Sequence, residues 1–297
     1  DVKHLKTFSL FSNFMLDNPL IVCYTIYVVK TRNNPNIRKA VFSMAMVMVF
    51  DTETTTAKDP HKFCYNVGYL IFDTDTRAIV CKKEYIVEQA WHNLPLFATS
   101  YYADKRPLYV SAMRGKRATL DKWGYIMRDM KHDIREYKVE YAYAYNSPFD
   151  DEVFRFNCDW YKTSNPLDTI PVFDIRGMVS EFITNTADYK DFCEKHQRFT
   201  ESGNYSATAE TVYQYITVDS EFIEAHTALA DSEIEAEILL TCLDLGAEIG
   251  KTYKVTSQIH RYIPKPVTIK IDGETIYSGY FRKKYVRDGL YSFRTEV

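Results

Sequence analysis

Two acidic residues separated by one residue, Asp51 and Glu53, follow a continuous apolar run at 44–50. That run has the length and composition of a strand buried on both faces of a sheet. Side chains at positions i and i+2 of a strand point to the same face, so both carboxylates leave the sheet edge together. Adjacent carboxylates repel each other unless a cation lies between them, and a divalent metal ion suits that place. The pair therefore indicates a metal site, with a solvated strand end as the alternative.

Two further places put acidic residues at the starts of helices. A predicted strand at 139–145 is followed by a turn at Asn146, which brings Asp150 into the first turn of a helix. Farther along the chain, His226 precedes Asp231 by five residues at the start of a long helix. A histidine beside metal-binding carboxylates can serve as a general base near neutral pH. The structural alternatives are that Asn146 caps the helix, that Asp150 complements the helix dipole, and that His226 only packs.

The surrounding pattern predicts a mixed α/β domain in which strands come first and helices later. Apolar and β-branched runs predict strands at 44–50, 64–73, 78–87 and 139–145. Apolar residues at spacings of three and four predict an amphipathic helix over 118–138. Further helices are expected from Pro148 onward and over 188–198, 206–216 and 227–244. An Asp-Gly pair between two β-rich arms predicts a small C-terminal β-hairpin over 267–281.

The composition is that of an ordinary globular protein. Of 297 residues, 46% are hydrophobic and 26% are charged, which excludes a disordered or collagen-like chain. Charge is unevenly distributed: residues 139–250 hold 22 Asp or Glu against 6 Lys or Arg, whereas 105–138 and 251–297 are basic. Metal-binding acids between cationic arms suit a protein that holds divalent cations against a phosphate backbone. A solvated acidic surface is the alternative.

The chain is expected to divide into three parts. Residues 1–43 are interpreted as an appendage, because regular patterning begins only near Met44; an added edge strand at 20–29 is the alternative. That ten-residue apolar run is too short to cross a bilayer, so no membrane partner is expected. The main domain is expected over 44–250, followed by a basic β extension over 251–297. Six scattered cysteines without a C-x-x-C pair favour a reducing compartment, and hence a soluble intracellular protein.

In chain order, the three places resemble the motifs of the DEDDh (DnaQ-like) 3′–5′ exonucleases of the ribonuclease H-like superfamily. That family has D-x-E on a strand, then N-x-x-F-D, then H-x-x-x-x-D. The matching residues here are Asp51 and Glu53, Asn146 with Phe149 and Asp150, and His226 with Asp231. The resemblance covers about residues 44–245, and the amino-acid sequence around the motifs is most similar to that of exonucleases encoded by bacteriophages. Two positions depart from the family: Asn66 stands where an acid is usual, and Thr56 where many relatives have glycine.

The resemblance implies a mixed five-stranded sheet flanked by helices and phosphodiester hydrolysis with two metal ions. Oxygen-only ligands point to Mg²⁺ or Mn²⁺. By the same resemblance, Asp51 bridges both ions, Glu53 and Asp231 complete the first site, and Asp150 holds the second ion through water. His226 is implied to take the proton from the attacking water. The residues implied to contact the terminal nucleotide are Thr54, Thr55 and Asn146.

The implied activity is removal of nucleotides from the 3′ end of single-stranded nucleic acid, with DNA favoured. The implied setting is phage replication, or proofreading beside a replicative polymerase, in the cytoplasm (of a bacterial host if a phage encodes the protein). An RNA-processing exoribonuclease and a catalytically silent module that binds nucleic acid or a polymerase are the alternatives. The presence of all four acids and the histidine favours the enzyme. Asp151 is a second candidate for the place of Asp150, but the N-x-x-F-D spacing selects Asp150.

Overall fold

The structure is a computed structural model that describes residues 45–55 and 62–256 with their side chains. It also describes the backbone of 265–271 and 274–281. The predicted appendage at 1–43, the alternative strand at 20–29 and Thr56 lie outside the described residues. The Asp-Gly pair of the predicted C-terminal hairpin, at 272–273, also lies outside them.

A six-stranded mixed sheet forms the centre of the described chain, so the predicted count of five is not confirmed. Strands β1, β2 and β3 pair antiparallel in succession, whereas β3–β4, β1–β5 and β5–β6 are parallel pairs. The spatial order is β4-β3-β2-β1-β5-β6. The strands are β1 (Met46–Thr54), β2 (Cys64–Asp73), β3 (Ile79–Val87), β4 (Thr119–Asp121), β5 (Tyr141–Ala144) and β6 (Val172–Asp174).

Helices connect and cover the strands. They are α1 (Glu88–His92), α2 (Leu94–Phe97), α3 (Arg106–Arg114), α4 (Trp123–Glu136), α5 (Ser147–Tyr161), α6 (Ile175–Val179), α7 (Ala187–His196), α8 (Ala209–Thr217) and α9 (Ala228–Asp244). Short 3₁₀ helices lie at Ala103–Lys105 and Pro166–Thr169, and a π-helical turn at Ser180–Thr184. A separate two-stranded antiparallel sheet is formed by β7 (Lys265–Ile271) and β8 (Glu274–Phe281).

Strand β1 is buried on both faces, as its continuous apolar run predicts. Val47 and Val49 pack into the core cluster that α9 and α6 cover. Met48 and Phe50 point to the opposite face and pack into the cluster that α4 and α5 cover. Because alternate residues of a strand share a face, 51 and 53 continue the row of Val47 and Val49. The two motif acids therefore lie on the side of the sheet where α9 packs.

The region before α5 differs from the prediction of one helix over 118–138. The observed helix α4 begins at Trp123, and Thr119–Asp121 instead extends the sheet as β4, with Leu120 opposite Ile86 of β3. The physical reason is that β3 is an otherwise open strand that offers backbone hydrogen bonds to a neighbour. Residues 88–118, for which the sequence predicts no element, form α1–α3 and pack aromatic side chains against the edge of β2 and β3.

No helix in the part of the chain that the structure describes is long and apolar enough to cross a bilayer. The five described cysteines, Cys64, Cys81, Cys158, Cys193 and Cys242, are buried and free. Their burial in the two core clusters and beside α4 makes them packing residues.

Candidate metal centre and catalytic histidine

The first motif lies within β1, since the strand continues to Thr54 and carries both acids. Asp51 is opposite Gly68 of β2, and Glu53 is opposite Asn66. Both acids are partly exposed, whereas Thr52 between them is buried and points to the other face. Strand alternation thus brings two carboxylates to one surface, as the i, i+2 spacing predicts.

Asp231 joins this pair from the first turn of α9. Ligand oxygens of Asp51, Glu53 and Asp231 all lie within 4.8 Å of one another. Asp231 is only 5% exposed, and its Oδ1 atom is buried without a hydrogen-bond partner among the described residues. A buried carboxylate oxygen that lacks a donor, beside two other carboxylates, fits a site for a hard cation.

The start of α9 can approach this closely because β2 carries a glycine there. A Cβ atom on Gly68 would lie 2.1 Å from the backbone nitrogen of Leu229, so only glycine lets the helix rest on the strand. Asn66 adds a direct connection, because its side-chain oxygen accepts a hydrogen bond from Ala228 N–H at 2.8 Å. The amide group of Asn66 in turn donates to Tyr85 O at 2.9 Å. The resembled family usually has an acid at this position. The amide oxygen of Asn66 accepts the same kind of hydrogen bond from a backbone N–H at the start of α9 that a carboxylate would accept.

Asp150 arrives at the same end of β1 from the first turn of α5. Its Oδ1 atom accepts hydrogen bonds from Thr52 N–H at 3.1 Å and from the Thr52 hydroxyl at 2.7 Å. Its neighbour Asp151 instead pairs with Arg155 at 2.8 Å on the helix surface. The structure therefore brings Asp150, and not Asp151, to the acids of β1.

The four acids raise one another's pKa, and burial is the largest cause at each. The pKa of Glu53 rises to about 9, with the charge of Asp51 as the second cause, and that of Asp231 rises to about 10 for the same reasons. The pKa of Asp51 lies well above its ordinary value because of burial and then the charge of Asp150. Burial raises the pKa of Asp150 to about 7, although the hydrogen bonds from Thr52 oppose the rise. Such a cluster binds protons or cations tightly near neutral pH.

The donor set fits divalent Mg²⁺ or Mn²⁺, because every available atom is a carboxylate oxygen. Asp51, Glu53 and Asp231 would hold the ion, and Asp150 lies beside them through its hydrogen bonds to Thr52.

His226 lies in the segment that leads into α9, with a left-handed backbone (φ 50°) that histidine adopts more readily than most residues. Its ring stacks on Tyr102 at a centroid distance of 4.4 Å and an interplanar angle of 12°. Lys105 Nζ donates to Ala225 O at 2.5 Å and lies 4.5 Å from the centre of the Tyr102 ring. The histidine is thus held by residues between α2 and α3, outside the three motifs.

Burial lowers the pKa of His226, and the ammonium of Lys105 lowers it further, while Glu210 opposes the change. The same ammonium also lowers the pKa of Glu53 and Asp231, so Lys105 acts on both the histidine and the carboxylate cluster. A lowered pKa keeps the imidazole neutral at pH 7, which is the form that accepts a proton.

The three residues predicted to contact substrate either directly follow Glu53 or precede α5, and their contact with substrate stays a prediction. Thr54 ends β1 and is partly exposed, whereas Thr55 is fully buried and its hydroxyl has no hydrogen-bond partner among the described residues. Asn146 precedes α5 with φ 71°, and its side chain makes no capping hydrogen bond. Its Oδ1 instead accepts from Arg176 Nη1 at 2.6 Å, while its N–H donates to Asp174 Oδ1 at 3.0 Å.

Two more acids belong to the surroundings of this centre and were missed at the sequence level. Glu235 is 3% exposed, accepts a hydrogen bond from Tyr145 N–H at 3.0 Å, and has a pKa raised by burial and then by the charges of Asp51 and Asp150. Glu235 lies four residues after Asp231 on the same helix, and residues at this spacing share a helix face. This spacing is the sequence feature that could have predicted Glu235 beside the metal-binding acids. Glu224 lies with its Oε2 atom 3.6 Å from His226 Nδ1, and its spacing of two from the histidine gave no comparable signal.

No model of a protein family matches this sequence, and no curated protein matches it. Among solved structures, E. coli exonuclease I in complex with a dA16 oligonucleotide is similar at 15% identity and a TM-score of 0.40, over 68% of this chain and 40% of that chain. A 3′-exonuclease in a structure on 3′-end recognition of histone mRNA stem-loop is similar at 14% identity and a TM-score of 0.47, over 91% of this chain and 79% of that chain.

A full-length 3′-exonuclease is similar at 14% identity and a TM-score of 0.47, over 80% of this chain and 98% of that chain. For exonuclease I, in contrast, the matched part is 40% of that protein's length, which is less than half. At TM-scores below 0.5, these similarities assign no activity to this chain.

Proposed function

We propose that this protein is a metal-dependent 3′–5′ exonuclease that acts on single-stranded nucleic acid, with DNA as the favoured substrate. The observation that carries the proposal is the cluster of Asp51, Glu53 and Asp231, with ligand oxygens within 4.8 Å of one another and Asp150 bound to Thr52 beside it. Three elements distant in sequence converge there, and a neutral histidine lies on the segment that leads into one of them.

The roles of the residues follow from their chemistry. Bound divalent ions would neutralise the carboxylates and stabilise the negative charge that grows on the phosphate and on the leaving 3′ oxygen. Four carboxylates would place the positive charge of these ions at the end of β1: those of Asp51, Glu53, Asp150 and Asp231. His226 accepts the proton of the attacking water at a ring nitrogen, because its lowered pKa leaves the imidazole neutral.

The test is an assay with single-stranded DNA and RNA oligonucleotides labelled at the 5′ or the 3′ end, in Mg²⁺, Mn²⁺ or a chelator. We expect a 5′-labelled strand to shorten one nucleotide at a time, and a 3′ label to leave as a mononucleotide in the first turnover. Chelator is expected to abolish both, because the carboxylates alone cannot stabilise the transition state.

Three outcomes of this assay are decisive. Release of a 5′ label, or internal cleavage, would contradict the 3′–5′ polarity. Binding of the oligonucleotide without any metal-dependent cleavage would favour the catalytically silent module. Faster cleavage of RNA than of DNA would reassign the substrate and keep the chemistry.

A further inference from the structure

We propose that Glu224 is a positioning residue for His226, holding the imidazole so that Nε2 is the atom that accepts the proton. The inference rests on the proposed function and names a residue outside the D-x-E, N-x-x-F-D and H-x-x-x-x-D motifs. It depends on three features of the segment before α9: the approach of the two side chains, the fixation of each of them, and the charges around them.

The first feature is the approach of Glu224 to one particular ring nitrogen. Its Oε2 atom lies 3.6 Å from His226 Nδ1. In a neutral imidazole one nitrogen carries the proton and the other holds the free electron pair. A carboxylate beside Nδ1 stabilises the proton on that atom, which leaves the electron pair on Nε2. A small shift of either side chain closes this distance to a hydrogen bond, as catalytic contacts do when substrate binds.

The second feature is that both partners are held. The ring of His226 stacks on Tyr102 at 4.4 Å, which restricts its rotation. The Glu224 side chain is 12% exposed, and the N–H of Glu224 donates to Glu210 Oε2 at 2.9 Å. Lys105 holds the residue between them by donating to Ala225 O. A carboxylate fixed in this way can direct a ring at little further cost in conformational entropy.

The third feature is the electrostatic consequence for the reaction. As His226 accepts the proton of the attacking water at Nε2, the ring becomes an imidazolium with protons on both nitrogens. The Glu224 carboxylate then faces the positive ring, and this attraction stabilises the charge that develops in the transition state. The water oxygen forms its bond to phosphorus while the bond from phosphorus to the 3′ oxygen breaks, and that oxygen takes a proton from solvent.

The same atoms allow one competing explanation. Ligand atoms of Glu210, Glu224 and His226 lie within 4.8 Å of one another, a spacing that suits a cation. However, Glu210 already accepts the Glu224 N–H. Burial, and then the charge of Glu210, raises the pKa of Glu224 to about 7, while the Lys105 ammonium opposes this rise and already supplies positive charge there. We therefore favour orientation of the ring, and the experiment separates the two explanations.

The kinetic test is a double-mutant cycle between Glu224→Gln and His226→Asn. We expect E224Q to lower kcat by about 10–100-fold, the usual effect of losing an orienting carboxylate, with KM unchanged. In the H226N background the same change is expected to have no further effect, because no ring remains to orient. Glu221→Gln, an exposed acid on the same segment, is the matched control and is expected to match wild type.

A second measurement needs no catalysis. Long-range ¹⁵N–¹H spectra of the imidazole, assigned by their loss in H226N, report which ring nitrogen carries the proton. We expect the proton on Nδ1 in the wild type and a mixture of tautomers in E224Q. If the wild type showed no nuclease activity, the proposed function would fail while these spectra still tested the pair.

Several results would overturn the inference. They are an E224Q kcat within threefold of wild type, an equal loss in the H226N background, or an unchanged tautomer. A raised Mg²⁺ requirement in E224Q with kcat intact would instead make Glu224 a metal ligand.

Discussion

Changing Asp51 to Asn is expected to lower turnover by at least about 10³-fold while the protein stays folded. Ligand oxygens of Asp51, Glu53 and Asp231 lie within 4.8 Å of one another, and after burial the charge of Asp150 is the largest cause that raises the pKa of Asp51. Metal stabilisation of a transition state is worth several kcal/mol, and each 1.36 kcal/mol is tenfold in rate. The measurement is kcat at saturating metal together with the circular dichroism spectrum.

The same substitution is expected to change the pH dependence of stability without metal. Folding raises the pKa of these acids, so the folded state binds more protons than the unfolded state between about pH 4 and pH 9. Stability of the wild type in chelator should therefore fall as the pH rises through this window. In D51N the fall should be shallower, because one of the repelling charges is absent.

Asp151→Asn is the matched control for D51N. Asp151 is also an acid of a motif segment, but it pairs with Arg155 on the surface of α5. An exposed pair of this kind contributes little, so D151N should keep wild-type activity. Wild-type turnover in D51N, or loss of activity in D151N, would contradict the assignment of the metal ligands.

Removing His226 is expected to lower kcat by about 10²–10⁴-fold, or roughly 3–5 kcal/mol of barrier, with metal and substrate binding little changed. His226→Asn is the better variant, since asparagine tolerates the left-handed backbone at this position, and His226→Ala is the second. A histidine that only packs would instead give a lower thermal midpoint and a rate loss that follows the folded fraction. Measuring kcat, Mg²⁺ dependence and thermal midpoint together separates these roles.

The pH profile of the wild type follows from the same residue. Only neutral imidazole accepts a proton, so the rate should rise with pH and level off above the pKa of His226. Burial and Lys105 lower that pKa, so the midpoint should lie below the ordinary value of 6.5. At saturating Mg²⁺, where bound metal displaces the protons of the carboxylates, the acidic limb should disappear in H226N. His92→Ala, at an exposed position, is the control. H226N turnover within about threefold of wild type would remove His226 from the mechanism.

The sequence predicts the main strands and the meeting of the motif acids because strong local patterns encode both. The apolar run before Asp51 is typical of a strand covered on both faces, and the i, i+2 spacing then fixes the shared face of the two acids. The long helix that carries Asp231 is also predicted, and Gly68 and Asn66 show why it lies against β2.

Other features could not be predicted because they depend on contacts distant in sequence. Strand β4 is three residues long and is held by pairing with the open edge of β3. A segment this short has no periodic pattern that would predict a strand. The position of Lys105 beside Ala225 joins residues 120 apart. Glu224 lies 3.6 Å from His226 Nδ1 because of the three-dimensional course of the segment before α9, which no sequence pattern predicts.

Calorimetric titration with Mn²⁺ measures whether the carboxylates at the end of β1 hold divalent ions. A ligand that binds only the folded state also raises the thermal midpoint, which gives an independent readout. We predict saturable Mn²⁺ binding by the wild type, reaching two ions per chain with a nucleoside monophosphate present, and loss of that binding in D51N but not in D151N. Absence of saturable binding by the wild type, or equal binding by D51N, would contradict a metal site formed by Asp51, Glu53 and Asp231.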